Sequence, residues 1–156
     1  LEYIANENKG WLFIFGITGS GKTHLAIATS KKLIDLGYTY AYMQFSREIQ
    51  EIHLARTTFT QSIKNKGEQR FRELIEADVL YIDDFLKVDD FTLRNTKGLV
   101  FDLINQRYLE NKITIITAEM TPQELEKYDG AVMGRITEKA KGYIIGTTNE
   151  DRNYRR

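Results

Sequence analysis

The chain contains no cysteine and only one proline in 156 residues. The missing thiols exclude disulfide staples, thiolate zinc sites and cysteine nucleophiles, and they are compatible with a reducing cytoplasm. No apolar run approaches the roughly 18 residues needed to cross a bilayer. No signal peptide is visible either, because the first apolar block, 11–17, runs straight into a glycine-rich loop. Charge of one sign is not in excess: 22 Lys and Arg balance 22 Asp and Glu. No global field therefore recruits nucleic acid, and any DNA contact has to be a local patch. Internal repeats and low-complexity linkers are lacking, and the length fits a single domain, 1–156. The chain opens on Leu1-Glu2-Tyr3 without an initiator Met, so an N-terminal region is expected to be absent from it.

What is present is an alternation of short apolar runs with helical patterns. Residues 11–15 are β-formers throughout, as expected for a parallel strand buried on both faces. Residues 22–36 carry Leu25, Ala26, Ala28, Leu33, Ile34 and Leu36 as a helical stripe, and Gly37 stops it. A strand over 39–45 precedes a helix capped by Ser46, and 61–77 is polar and basic, then helical. A strand over 79–82 ends at Asp83-Asp84, and 87–90 reads as a charged loop, Asp89-Asp90 included. A long helix covers 92–110, a strand 113–118, and Thr121-Pro122-Gln123-Glu124 forms a helix cap with proline at the first helical position. Residues 131–141 read as a helix and 142–145 as a last strand. This order predicts an α/β, three-layer fold with a five-stranded, mostly parallel sheet flanked by helices. Ligands bind such sheets beyond the carboxyl ends of the strands, where Gly16, Asp83 and Thr117 all fall.

The segment Gly16-Ile17-Thr18-Gly19-Ser20-Gly21-Lys22-Thr23 follows a strand and opens a helix, the context a P-loop requires. Its glycines let backbone N–H groups curl around a phosphate chain, and the helix N-terminus adds partial positive charge. Gly16, Thr18, Gly19, Ser20 and Gly21 would line the phosphates of ATP or ADP. Lys22 would reach the β- and γ-phosphates, and the Thr23 hydroxyl would ligate Mg²⁺. His24 adjoins the loop and is grouped with it, without a chemical role. Asp83 is the expected partner of Thr23 at the metal, and Asp84 is placed to polarise or deprotonate the attacking water. Thr117 either senses the γ-phosphate or simply ends a strand. Arg135 is either a finger presented to a neighbouring subunit's nucleotide or one half of a surface salt bridge, and Arg107 raises the same choice.

Taken together, these segments resemble the ATPase domain of DnaC-like bacterial and phage helicase loaders, members of the AAA+ class. The carriers are residues 19–25, 79–87, 101–108, 114–119, 134–138 and 153–155, spread over nearly the whole chain. The resemblance implies an AAA+ fold, a slow ATPase, and roles for Lys22, Thr23, Asp83, Asp84, Thr117 as first sensor and Arg135 as finger. It also implies a hexameric replicative helicase as partner, self-association through Arg135, and a cytoplasmic setting without membrane. Many AAA+ proteins place Asn at the first sensor, where this chain offers Thr117 and Glu119, and no helical lid follows. In such loaders single-stranded DNA is gripped after the second strand. The matching stretch holds Arg47, Arg56, Lys64, Lys66 and Arg70, with Phe59 and Phe71 for stacking. Interleaved glutamates leave a merely solvated face equally open. A transposition helper ATPase of the IstB type, or more remotely a P-loop small-molecule kinase, are the competing functions. Tyr3 and Ile4, just before the first strand, are candidate adenine contacts.

Overall fold

The runs of apolar β-formers become the middle of a parallel sheet. In the computed structural model, which describes residues 10–147, β1 (Trp11–Gly16), β2 (Tyr40–Gln44), β3 (Val79–Asp83), β4 (Ile113–Ala118) and β5 (Ile144–Thr147) lie in the order β2-β3-β4-β1-β5, and every pair is parallel. The three central strands are buried along most of their length, whereas β2 and β5, at the edges, are half-exposed. Register aligns the carboxyl ends: Ile14 sits beside Thr117, Gln44 beside Asp83, and Gly16 beside Thr147.

Successive side chains of a strand point to opposite faces, so each central strand feeds two cores. Leu12, Ile14, Val79, Tyr81, Ile113 and Ile115 face helix α1 (Lys22–Asp35). Trp11, Phe13, Leu80, Ile82 and Ile116 face the opposite layer. That layer is built from α2 (Phe45–Thr57), α3 (Gln61–Glu76), α4 (Asp90–Leu109), α5 (Pro122–Tyr128) and α6 (Gly130–Lys139). The α2–α3 pair closes tightly at Gly67, where a Cβ would stand 2.5 Å from the Ala55 Cβ.

Several local expectations shift. Helix α1 buries Ala26, Thr29, Ser30 and Leu33 and leaves Leu25, Ile27, Ile34 and Leu36 outward. The small residues let the helix approach the sheet, and their hydroxyls are satisfied within the helix, Thr29 donating to the Leu25 carbonyl and Ser30 to that of Ala26. Ser46 does not cap α2. The helix starts at Phe45, which is fully buried and edge-on to Phe85, and the Glu48 carboxylate accepts the Gln44 N–H at 3.1 Å. Asp89 is no mere loop charge: it caps α4 by accepting from the backbone and hydroxyl of Thr92. The Thr121–Glu124 capping box forms as read. Asp129 then caps α6, which begins at Gly130, one residue before its expected start, and β5 begins at Ile144, two residues after its own.

Arg107 is neither a finger nor a surface ion pair. It is fully buried at the end of α4 and spreads its guanidinium over the carbonyls of Leu74, Ile75, Ala77 and Ile113 and the Thr114 hydroxyl, at 2.6–2.9 Å. Three of those carbonyls belong to the last turn of α3 and the residue after it, the negative pole of a helix dipole. Burial pushes the guanidinium down to about 9, opposed by Asp78.

Candidate active site

The phosphate loop connects β1 to α1 in a conformation that its glycines make possible. Gly16 (φ 149), Gly19 (φ 79) and Gly21 (φ 89) all have positive φ, and Gly21 caps α1 in the left-handed region. At Gly16 the requirement is also one of space, since a Cβ there would lie 1.9 Å from the Thr147 hydroxyl oxygen. Thr147 clasps the loop from the edge strand. Its Oγ1 donates to the Phe15 carbonyl at 3.1 Å and lies 2.7 Å from Ser20 Oγ. Lys22 is buried, and its ammonium donates to the carbonyls of Gly16 and Ile17 at 2.7 and 2.8 Å. Burial lowers its pKa, while Glu119, Asp84 and Asp83 favour its charge. Thr18, Gly19, Gly21, Lys22, Thr23 and His24 line a pocket of about 110 Å³ that Asp84, Lys87 and Glu119 complete.

Asp83, at the end of β3, is held from three sides. Its carboxylate accepts from Tyr81 at 2.6 Å, Thr117 at 2.8 Å and Tyr42 at 3.0 Å. Burial, and then the hydrogen bond to this anion, pushes Tyr42 up to about 12 and Tyr81 higher still. The Tyr81 hydroxyl also interacts with the Thr23 side chain. One phenol thus faces two hard oxygen donors, the Asp83 carboxylate at the end of β3 and the Thr23 hydroxyl in the first turn of α1. That donor chemistry fits Mg²⁺, which is usually held by one or two carboxylates with phosphate and water completing its shell. Thr23 and Asp83 would hold it, and the ion would supply charge neutralisation to the phosphates.

Thr117 is the joint of the acidic pair. Fully buried, it donates its hydroxyl hydrogen to Asp83 and accepts the Asp84 N–H at 3.1 Å, while its carbonyl accepts from the Phe85 N–H at 2.8 Å. Its hydroxyl is committed to positioning the carboxylates, and Glu119, two residues on, is the strand-end group that faces the pocket. Asp84 lines the pocket from a left-handed backbone (φ 52). Lys87, Thr147 and the two tyrosines are site residues that sequence reasoning missed, whereas Glu119 is the residue the sequence offers beside Thr117 at the first-sensor position. Alternation along β3 was the available signal for Tyr81, since it puts residue 81 on the same face as residue 83.

Arg135 lies outside this pocket. Its guanidinium donates to Asn105 Oδ1 at 2.8 Å and the Ala131 carbonyl at 3.0 Å, and it stacks over Phe101 with 4.8 Å to the ring centroid. Of the basic residues after β2, Arg56 pairs with Glu68 and lies over Phe71, and Arg70 is bound by Glu48, Glu73 and the Tyr42 carbonyl. Phe71 is buried and is not available for stacking, whereas Phe59, between α2 and α3, is fully exposed. Arg47, Lys64 and Lys66 are exposed. Tyr3, Ile4 and the 153–155 motif lie outside the described residues.

Relatives include the phage-like element PBSX protein XkdC of Bacillus subtilis, 28% identical over 92% of this chain and 53% of the relative. The IS21 putative ATP-binding protein of Pseudomonas aeruginosa is 31% identical over 70% of this chain and 38% of the relative. The chain therefore spans about half the length of the Bacillus relative and less of the other. Among solved structures, DnaI superposes with a TM-score of 0.70 (21% identity, covering 97% of this chain and 79% of that one). The DnaC helicase loader gives 0.62 (19%, covering 96% and 85%), and the replication initiator DnaA bound to AMPPCP and single-stranded DNA gives 0.66 (22%, covering 97% and 45%). These likenesses establish the fold. The family model for the bacterial DnaA ATPase domain matches residues 3–142, which take in the phosphate loop, the acidic pair, Thr117 and Arg135. The chain belongs to the bacterial DnaA ATPase-domain family, with a fold it shares with DnaA, DnaC and DnaI.

Proposed function

We propose that this domain binds ATP with Mg²⁺, hydrolyses it slowly, and uses its nucleotide state and contact with single-stranded DNA to time the loading of a replicative helicase. The observation that carries the nucleotide half is the convergence of Lys22, Thr23, Asp83 and Asp84 at one end of the sheet, with Tyr81 joining the metal-binding pair. Asp84 activates water in this reading. Arg135 leaves Asn105 to reach the nucleotide of a neighbouring copy, whose charge it neutralises in the transition state.

Support for the DNA half comes from the α2–α3 hairpin inserted after β2. Exposed Phe59 offers a stacking face just before the turn of α3 that carries exposed Lys64 and Lys66, exposed Arg47 stands at the other end of α2, and the AMPPCP-bound DnaA neighbour carries single-stranded DNA. Arg56 and Arg70 contribute mainly by bracing the hairpin. A second reading, a transposition helper that acts on duplex DNA, is favoured by the IS21 relative. The test is ATP turnover of the native protein and of Asp84→Asn and Arg135→Ala, with and without single-stranded and duplex DNA, alongside co-purification with a hexameric helicase. Single-strand stimulation and helicase capture support loading. Duplex preference without helicase capture supports the second reading, and equal turnover in all three proteins refutes both residue roles.

A further inference from the structure

The turn that follows the acidic pair is built at a cost. Asp84 (φ 52) and Leu86 (φ 62) both occupy the left-handed region, where a branched apolar residue is rare. Such strain persists where the surroundings over-determine it, and it gathers at functional sites. Here Phe85 and Leu86 are anchored in the core, and the Lys87 N–H donates to the Asp84 carbonyl at 3.0 Å. The consequence is the direction of Lys87. Its ammonium reaches back over the Asp84 carboxylate, at 3.6 Å, and donates to Glu119 at 2.7 Å. Glu119 also accepts from the Thr18 hydroxyl of the phosphate loop. One carboxylate thereby bridges the two lips of the pocket that Lys22 enters from the floor.

Even with Mg²⁺ held by Thr23 and Asp83, the carboxylates of this pocket leave a triphosphate under-neutralised unless a second side-chain cation takes part. Asp84 and Glu119 face it, and Lys22 is the other side-chain ammonium among its lining residues. We infer that Lys87 is a ligand of the terminal phosphate of a bound nucleoside triphosphate, supplied by the same chain, and that it exchanges its Glu119 partner for that phosphate. The inference rests on the P-loop reading of the site. Lys87 keeps nearly half of its side chain exposed, so the exchange needs a rotation of its flexible stem and no change in the strained turn. Exchange also frees Glu119 from the ion pair, which couples the phosphate count of the nucleotide to the Thr18–Glu119 contact across the pocket. A diphosphate leaves the Lys87–Glu119 pair in place.

Equilibrium binding of AMPPCP and of ADP, each with Mg²⁺, by the whole chain tests this in the native protein and in Lys87→Met, Lys87→Arg, Glu119→Gln and Lys22→Ala. A charge-assisted hydrogen bond of ordinary strength predicts roughly tenfold or greater weakening of AMPPCP in Lys87→Met. ADP affinity stays within about twofold, Lys87→Arg restores most of the AMPPCP affinity, and Glu119→Gln tightens AMPPCP. An unchanged AMPPCP-to-ADP ratio in both Lys87→Met and Glu119→Gln overturns the Lys87 assignment while leaving the nucleotide site standing. Failure of the native protein to bind either nucleotide, with Lys22→Ala indistinguishable from it, overturns the nucleotide site itself.

Discussion

Replacing Arg107 by Met keeps the volume of a long unbranched side chain and removes every donor from a buried cluster of acceptors. The Leu74 and Ile113 carbonyls and the Thr114 hydroxyl are the fully buried members, while those of Ile75 and Ala77 are partly buried and can be rehydrated. A buried acceptor left unsatisfied costs about 1–3 kcal/mol, and relaxation around a thioether recovers part of the sum. The net loss should be about 3–5 kcal/mol, the cost of three fully buried acceptors less what that relaxation recovers. Against a total stability of about 5–15 kcal/mol this is a large fraction. For a domain of this size it corresponds to a fall in Tm of roughly 6–20 °C. Urea unfolding followed by far-UV circular dichroism reads it as a drop in midpoint with an unchanged slope. Arg107→Lys keeps the charge and three donors, and should fall between native and Met. A midpoint for Arg107→Met within about 1 kcal/mol of the native protein would refute the claim that this guanidinium ties the end of α3 to the start of β4.

Three further outcomes follow from the site and its surroundings. Thr117→Val removes the hydroxyl that orders both aspartates, so the Mg²⁺ concentration needed for tight nucleotide binding should rise about tenfold. Thr117→Ser should restore it, and equal Mg²⁺ titrations for native and Val proteins would remove the joint. Gly16→Ala places a methyl group on the Thr147 hydroxyl in a backbone region closed to alanine. It should abolish nucleotide binding and lower the melting temperature, whereas native-like binding would show that β5 does not clasp the loop. Asp78 is held below its ordinary 3.8 by hydrogen bonds from Thr39, first its hydroxyl and then its N–H, and by Lys112. A depressed carboxyl contributes stability above its unfolded value and loses it as pH falls through the folded one. Asp78→Asn should flatten the fall in stability below about pH 4, and an unaltered acid limb in urea titrations would contradict this.

The features legible without a structure share a physical origin: each is dictated by residues adjacent in the chain. Gly16, Gly19 and Gly21 announce a backbone that only glycine adopts readily, and Lys22 and Thr23 follow at once on the helix that the loop opens. Asp83 ends an uninterrupted apolar run, so its place at a strand tip needs no long-range information. Thr121, Pro122 and Glu124 specify their cap in four residues. Alternating strand and helix patterns were sufficient for a parallel α/β sheet, because such strands require helical crossovers.

Tertiary structure decided whatever depends on register between distant segments. Thr117 serves Asp83 and Asp84 because β3 and β4 pair with Ile82 beside Ile116. Thr147 meets Gly16 because β5 joins the outer edge of β1. Arg107 looked like a surface cation until the end of α3 was laid across it, and Leu25 and Ile34 looked like core until Ala26, Thr29, Ser30 and Leu33 took the sheet-facing side of α1. The phosphate loop states its ligand class in eight consecutive residues. Lys87, by contrast, enters the site only because two left-handed residues turn the chain back toward Glu119, on a strand end more than thirty residues away, and a one-dimensional pattern carries no record of that meeting.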